Sequence, residues 1–558
     1  NMVSQGQYYN PLPSLYLFPR GDNFAEIRLY ERYNTNYGYM EQYWPYGDAS
    51  LSLQNPYWIQ NRINRTSNKK RYMMNASLKW QAADWLNVVG RVNLDNSDYR
   101  NKNEKSASTL TTFCGVSGGF EDAMRQERSL YADFLANIDK TFGDFHLTAN
   151  VGASIYHTSM DQLYIAGDLV IPNFFQINNI NFSANYKPDP TGYEDEIQSI
   201  FASAELSWKN QLYLTVTGRN DWDSKLAFSK QKSFFYPSVG LSALLSEMVK
   251  LPEVISYAKI RGSYTVVASS FDRFLTNPGY EYNSQTHNWA NPTVYPMDNM
   301  KPEKTKSWEI GLNLKFWGNR FNLDATYYRS NTLNQTFKVD IPSSSGYKQA
   351  IVQAGNVQNQ GLELALGFND KWAGFGWSSN ATFTLNRNKV KRLASGSVNP
   401  VTGEAIQMDE MNVGWLGKEN VAPRVILTEG GSMTDIYVYN QLTKDNNGNI
   451  KVDQNGNLGI TSSNTPVKVG NLDADFNLGW TNHFTYKGID LGVVLSARVG
   501  GLAYSATQGI LDYYGVSGTS ATARDNGGIP INNGKVNAQK YYQTIGTGEG
   551  GYGRYYLY

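Results

Sequence analysis

The chain has 558 residues, 41% hydrophobic and 14% aromatic, with 39 Tyr, 50 Gly and a negative mean hydropathy. Lys plus Arg (50) and Asp plus Glu (49) nearly cancel to a formal net charge of +1, so no field exists to hold nucleic acid or an acidic membrane surface. Cys114 is the single cysteine, which excludes an intrachain disulfide and a cysteine-rich zinc site. No apolar run approaches the roughly 18 residues of a transmembrane helix, which excludes a helical membrane protein and leaves a barrel open.

The start, Asn1-Met2-Val3-Ser4, carries neither an initiating Met nor a signal peptide and is expected not to be a natural N-terminus. Residues 1–70 hold turn formers and aromatic clusters, among them YYNPLPSLYLFPRG (Tyr8 to Gly21) and NPYWIQNR (Asn55 to Arg62), and read as a long structured surface loop. Period-2 alternation then begins. Tyr72, Met74, Ala76, Leu78 and Trp80 form one apolar face, and after a turn at Gln81 to Asp84 so do Leu86, Val88, Gly90, Val92 and Leu94. Leu130, Ala132, Phe134, Ala136 and Ile138 turn through Gly143-Asp144 into Phe145, Leu147, Ala149, Val151, Ala153 and Ile155.

The same grammar continues. Ile200 to Trp208 pairs with Leu212 to Arg219, and Val239 to Leu245 is joined by a short helical link to Ile260, Gly262, Tyr264 and Val266. The clearest case is SWEIGLNLKFWGNRFNLDATYY (Ser307 to Tyr328), where Trp308, Ile310, Leu312, Leu314 and Phe316 oppose Glu309, Asn313 and Lys315 before a turn and a second alternating strand. Leu362 to Phe368 returns through Trp377 to Leu385, and Phe476 to Tyr486 turns at Lys487-Gly488 into Leu491, Val493, Leu495 and Ala497. Strands of about ten residues with aromatics towards their ends suit a tilted membrane crossing.

Links within pairs run about three to fourteen residues and links between pairs roughly 20 to 90, and the two kinds alternate; one rim therefore has short turns and the other long loops. The fold expected is all-β, an antiparallel up-and-down transmembrane β-barrel of about fourteen or more strands, with short periplasmic turns and long extracellular loops. A propeller or another soluble array would have shorter, regularly spaced strands.

Sites are fewer. GTGEGG (Gly546 to Gly551) satisfies GxGxxG without the flanking strand and helix that dinucleotide binding needs. Asp445-Asn446-Asn447-Gly448-Asn449 and Asp453-Gln454-Asn455-Gly456-Asn457 lack the glycine position and closing Glu of a calcium loop, and read as paired hairpin turns. His146, His157, His287 and His483 show no metal-ligand spacing; neither a catalytic constellation nor a cofactor site is expected. Two aromatic-plus-charge clusters, Tyr57 and Trp58 with Arg62, and Trp222 with Arg219 and Asp221, are the candidate substrate-binding residues, since flat apolar faces beside hydrogen-bonding charges suit sugars and peptides.

An ordered set of segments resembles the SusC/RagA family of TonB-dependent outer-membrane transporters of Bacteroidota: LYLFPRG (Leu15 to Gly21), NPYWIQNR, GRNDWDS (Gly218 to Ser224), FFYPSVGLS (Phe234 to Ser242), KIRGSY (Lys259 to Tyr264), KPEKTKSWEIGLNL (Lys301 to Leu314), GNVQNQGLEL (Gly355 to Leu364) and YKGIDL (Tyr486 to Leu491). The resemblance implies a 22-stranded barrel in the outer membrane of a Gram-negative bacterium, an internal plug, energy delivered by the TonB complex, a SusD-like surface lipoprotein as partner, and import of oligosaccharides or oligopeptides. The sequence departs from that pattern: residues 1–558 contain no TonB-box region, plug or signal peptide, and about fourteen strands fall short of 22. The expectation is a partial barrel domain, surrounded by outer-membrane lipid, that does not transport by itself. The alternative is a non-transporting outer-membrane barrel whose long loops recognise a partner, and an enzyme is not expected.

Overall fold

Hydrophobic side chains recurring at every second residue can share a face only in an extended chain, and strands so patterned bury that face together when their registers agree. In the computed structural model this decides the architecture. The structure describes residues 10–546 and 556–557, apart from 50, 183–187, 277–278, 284–287, 298–299, 395–397, 400, 407 and 417–422. His287, most of the GxGxxG segment, and Arg554, Tyr555 and Tyr558 lie outside the described residues.

Fourteen wall strands realise the seven expected hairpins: β1 (Ile63–Ala83), β2 (Leu86–Lys105), β3 (Gly119–Phe142), β4 (Phe145–Asp168), β5 (Asp189–Trp208), β6 (Leu212–Asp223), β7 (Phe234–Leu244), β8 (Ile255–Ser269), β9 (Glu303–Phe316), β10 (Phe321–Asp340), β11 (Gln349–Trp372), β12 (Phe375–Arg392), β13 (Phe476–Tyr486) and β14 (Ile489–Val499). Their order in the sheet is their order in the chain, with every neighbouring pair antiparallel. β1 and β14 are the two ends of this order and are not paired with each other among the described residues. The link between β7 and β8 contains the short helix Leu245–Met248 that the sequence suggests.

The register explains why the sheet is stable in lipid. One row runs Ile260, Leu312, Ala325, Leu364, Phe383, Leu478, Ala497 across β8 to β14, wholly apolar. The adjacent row on the opposite face runs Lys259, Asn313, Asp324, Ala365, Thr382, Gly479, Ser496, polar or small throughout. Slipping a strand by one residue would exchange the rows and turn its polar side chains to hydrocarbon, with a charge among them in β8 and β10. The apolar face is therefore the outer one and the polar face the inner one. Aromatic rings bound the outer band on both sides, as amphipathic rings do at a lipid boundary. On the short-turn side Phe321–Phe368 (4.7 Å), Phe368–Trp377 (4.8 Å) and Trp377–Phe484 (6.2 Å) form a continuous chain of ring contacts; on the long-loop side Trp308 meets Tyr327 at 5.5 Å.

The turns are built for hairpins. Ala373 and Gly374 (φ 50° and 82°) and Lys487 and Gly488 (φ 44° and 87°) both take the paired left-handed conformations of a two-residue turn that matches strand twist.

Strand length differs from the sequence expectation. β3, β4 and β11 are 24 residues each, about 80 Å at ~3.4 Å per residue, against an apolar band about 25 Å tall. Several long-rim connections are correspondingly short, with residues 106–118, 224–233 and 341–348 below the expected minimum, whereas 270–302 and 393–475 stay long. Beyond the membrane both strand faces meet water, so the sequence there loses its apolar alternation while the backbone ladder continues.

The N-terminal loop is structured as expected, with helix Leu12–Tyr16, a hairpin of Glu31–Asn34 and Tyr39–Gln42, and helix Pro56–Arg62 leading straight into β1. After β14, helices Ala506–Tyr513, Gly518–Asp525 and Ala538–Ile545 and a small hairpin pack with Val438, Leu442 and Leu458 of the 393–475 loop, and Tyr556 is buried among them. The paired-turn reading holds. Asp445 accepts the backbone N–H of Asn447 and Asn449, Asp453 those of Asn455 and Asn457, and these bonds hold both carboxyls below their ordinary range, so the carboxylates serve the turns.

Leu312, midway between Trp308 and Phe316 on the outer face, is expected to tolerate charge worst: Leu312→Arg should cost about 2–4 kcal/mol of membrane stability and deplete the folded, heat-modifiable band on gels, while Asn313→Arg leaves most of it. Equal depletion would overturn the face assignment. Trypsin added to intact cells should cut within 270–302 or 393–475 and spare the Trp317–Arg320 turn; cleavage at that turn alone would invert the orientation.

Candidate functional site

The inner face is the surface that a solute in the lumen would meet, and its chemistry is that of paired charges. Arg91 on β2 and Asp133 on β3 are register partners joined by two bonds (Nε–Oδ1 2.9 Å, Nη2–Oδ2 2.7 Å), with the Tyr131 hydroxyl donating to the same carboxylate at 2.8 Å. Further round, Arg261 Nη2 reaches Asp324 Oδ1 at 2.9 Å, and Asn313 donates to Asp324 Oδ2 at 2.9 Å. Gly311 lies opposite Arg261, where a Cβ would stand 2.5 Å from the guanidinium, so the missing side chain makes room for the arginine to cross two strands. Fork-shaped pairs of this kind fix geometry as well as charge. His146 and His483 also face inward, each against a carboxylate near a short turn (Asp139 at 2.8 Å, Asp490 at 2.6 Å).

The candidate residues divide. Arg219 and Asp221 on β6 do form a unit: Arg219 Nε donates to Asp221 Oδ1 at 2.7 Å, Arg219 Nη2 to Ser199 Oγ at 2.7 Å, and the Tyr236 hydroxyl to Asp221 Oδ2 at 2.7 Å. Trp222 does not join them. Alternation turns it to the outer face, 42% exposed, where it borders an apolar hollow of about 1020 Å³ with Leu78, Val92, Phe134, Ile155 and Ile200. Trp58 is also misplaced as a binding residue: it is fully buried against Ile59 and Ile63, and its indole N–H donates to Thr109 Oγ1 at 3.1 Å, so it offers no face to a ligand. Tyr57 is half-buried, its ring 6.2 Å from that of Phe24, and Arg62 is held by Glu31 at 2.6 Å. The loop holding these residues is organised by buried Asn55, which caps helix Pro56–Arg62 and donates to the carbonyls of Ile27 and Tyr43.

Three inner-face features escaped sequence reasoning. Tyr236 and Ser199 were discoverable, because the period that sends Phe235 and Val239 outward sends Tyr236 inward. Arg273 was not: it comes from the 270–302 loop, bonds Asp195 of β5 at 2.6 Å and stacks on Tyr193 at 3.5 Å. Phe271 and Met300 of the same loop are buried against Phe234 of the inner face, and Ser270 bonds Asp223. The two ends of this long connection are therefore packed on the inner face of β5 to β7, beside Arg219 and Asp221.

Among the described residues no group of three or more His, Cys, Asp or Glu is placed to hold a metal ion. Cys114, in the 106–118 connection, is buried, and burial pushes its thiol up to about 12. Folding thus favours the protonated thiol, a contribution present in full below its ordinary value of 9.0 and lost as pH rises towards 12. Iodoacetamide at pH 8 should leave Cys114 unmodified in the folded protein and alkylate it on unfolding, read by peptide mass spectrometry; rapid labelling of the folded form would contradict the burial.

The family model described as TonB dependent receptor-like, beta-barrel matches residues 16–417. TonB-dependent receptor P3 of Formosa agariphila is 24% identical over 426 residues, 71% of this chain and 41% of that protein. TonB-dependent receptor SusC of Bacteroides thetaiotaomicron is 26% identical over 355 residues, 58% of this chain and 34% of that protein. Among solved structures, that of the RagAB peptide transporter superposes with a TM-score of 0.67 at 14% identity, covering 82% of this chain and 50% of that one. The chain thus spans half or less of the length of each of these relatives.

Proposed function

The chain belongs to the TonB-dependent receptor β-barrel family, and from that premise we propose that it forms much of the wall of an outer-membrane importer for oligosaccharides or oligopeptides. The observation that carries this reading is the inner face: charges of both signs, already paired with one another, with hydroxyl and aromatic groups beside them and Arg273 of the 270–302 connection held against Asp195. A neutral or mixed-charge oligomer can exchange hydrogen bonds with such a face without meeting a single-sign field. Arg219, Asp221 and Tyr236 would contact the cargo, with Tyr57 and Arg62 at the entrance.

In this reading the TonB complex supplies energy through the receptor, a SusD-like lipoprotein covers the mouth, and the cargo passes without covalent change. The relative named SusC and the likeness in fold to the RagAB peptide transporter support the choice of transporter class. A barrel this wide cannot be filled by its own wall side chains, so a folded element inside the lumen is part of the proposal.

Uptake of labelled oligosaccharides and oligopeptides should fall to background when the gene is deleted, return with the intact gene, and vanish again without TonB or the proton gradient. The cargo should be recovered unmodified. Asp221→Asn, which removes one charged hydrogen-bond acceptor worth about 1.5–3 kcal/mol, should lower uptake about tenfold or more at unchanged surface level. Uptake that persists without TonB would overturn the reading in favour of a passive or merely binding barrel.

A further inference from the structure

The hairpin of Glu31–Asn34 and Tyr39–Gln42 has two faces with different fates. One is used internally: Glu31 holds Arg62 at 2.6 Å, while Gln42 donates its backbone N–H to Ser108 Oγ (3.0 Å) and its amide to the Ser108 carbonyl (3.2 Å). The other carries Arg32 opposite Glu41 and Asn34 opposite Tyr39, and Tyr43 continues the register by donating its N–H to the Tyr30 carbonyl at 2.8 Å. β1 runs from the long-loop rim to the short turn at its far end, so the hairpin that precedes it stands on the long-loop side.

On this second face the side chains form a strip. Arg32 sits over Tyr43, 3.5 Å from the ring centroid; Asn34 Nδ2 donates to Glu41 Oε2 at 2.9 Å; and Tyr39 and Tyr37 stack with centroids 5.6 Å apart and planes within 14°. The turn makes the last contact. Asn34 Oδ1 accepts the N–H groups of Asn36 (2.9 Å) and Tyr37 (3.3 Å), and Gly38 takes φ 73°, a left-handed conformation that returns the chain so that Tyr37 meets Tyr39. Tyr37 is nevertheless 62% exposed. The Arg32 guanidinium N–H groups and Glu41 Oε1 have no hydrogen-bond partner among the described residues. Ordered rings at the solvent boundary, with an open planar donor and acceptor between them, are more than the packing of the hairpin needs.

We propose that this face of the hairpin binds an oligosaccharide at the cell surface, outside the lumen. The inference takes the oligosaccharide side of the transport reading and rests on its orientation, with the long-loop rim outside. A pyranose ring has a C–H face that packs on an aromatic face, and hydroxyls round its edge that both donate and accept. Tyr37 and Tyr39 supply the first contact, and Arg32 and Glu41 the second. An extended peptide recognises a strand through backbone hydrogen bonds along a sheet edge, whereas the hairpin presents a face. A folded protein partner is disfavoured by size: four residues on each of two strands cover roughly 140 Å², against about 800 Å² a side in a stable protein interface.

The test is isothermal titration of the protein, purified in mild detergent, with maltohexaose, cellohexaose, xylohexaose and mannohexaose, and with hexa-alanine. At least one of the sugars should bind and the peptide should not. Tyr37→Ala with Tyr39→Ala should weaken that binding about tenfold or more, and Arg32→Gln with Glu41→Gln by a similar factor. Bound sugar should also shield Tyr37 from nitration in the unaltered protein, read by peptide mass spectrometry, a readout that stands should a variant fail to assemble. Failure of every sugar to bind, or hexa-alanine binding as tightly as the sugars, would overturn the proposal. So would sugar binding that leaves Tyr37 open to nitration or survives the loss of both tyrosines, since the sugar would then sit in the lumen. Neither uptake nor TonB enters these measurements, so a failure here is distinguishable from a failure of the transport reading.

Discussion

Hydrocarbon offers no partner for a peptide N–H or C=O, and each one left unpaired costs several kcal/mol. That constraint governs this chain more than any side-chain contact does. From β1 to β14 it is met by an antiparallel ladder in which each strand pairs with its neighbours in sequence, with no crossover, and only the outer edges of β1 and β14 lack a strand partner among the described residues. Side chains then need only obey parity. A Leu, Phe or Ala at the outer position and an Asn, Asp or Thr at the inner one suffice, and the apolar row from Ile260 to Ala497 shows this parity kept over seven strands.

The inner face follows from the same parity but carries a different cost. Charges facing a wet interior are partly desolvated by their neighbours, and the wall answers by pairing them across strands, as in Arg91 with Asp133 and Arg261 with Asp324. The accessible pair Arg261–Asp324 contributes little to stability, whereas Asp133, whose side chain is buried, would be costly to leave without Arg91. Their effect is to fix side-chain positions and to flatten the local field, and Arg273 of the 270–302 connection extends the same pairing to Asp195.

How much of this was legible in the sequence depended on the solvent at each point. Inside the lipid band the two faces of a strand meet opposite media, so period 2 is strong and all seven hairpins and their faces could be read from residues such as Trp308 and Glu309. Above the band both faces meet water, and β10 and β11 run on through polar sequence that resembles loop. The candidate site was legible in part for the same reason. Arg219 and Asp221 share a parity and do meet; Trp222, one residue on, has the other parity and faces away. Trp58 was misjudged because burial in a loop depends on distant partners such as Thr109, which no local pattern announces. The helical unit after β14 went unseen because its contacts with the 393–475 loop are likewise remote in sequence.

The strands that overrun the membrane have an electrostatic consequence. A 24-residue strand tilted by about 40° rises roughly 60 Å, of which only about 25 Å lies in hydrocarbon, so β3, β4 and β11 stand some tens of ångströms beyond it, whereas β7, β13 and β14, 11 residues each, barely exceed it. Physiological salt screens charge over about 8 Å. Above β3, β4 and β11 the wall therefore ends several screening lengths from the membrane surface, so a charged solute arriving there meets the paired side chains of the wall and not the charge of the lipid.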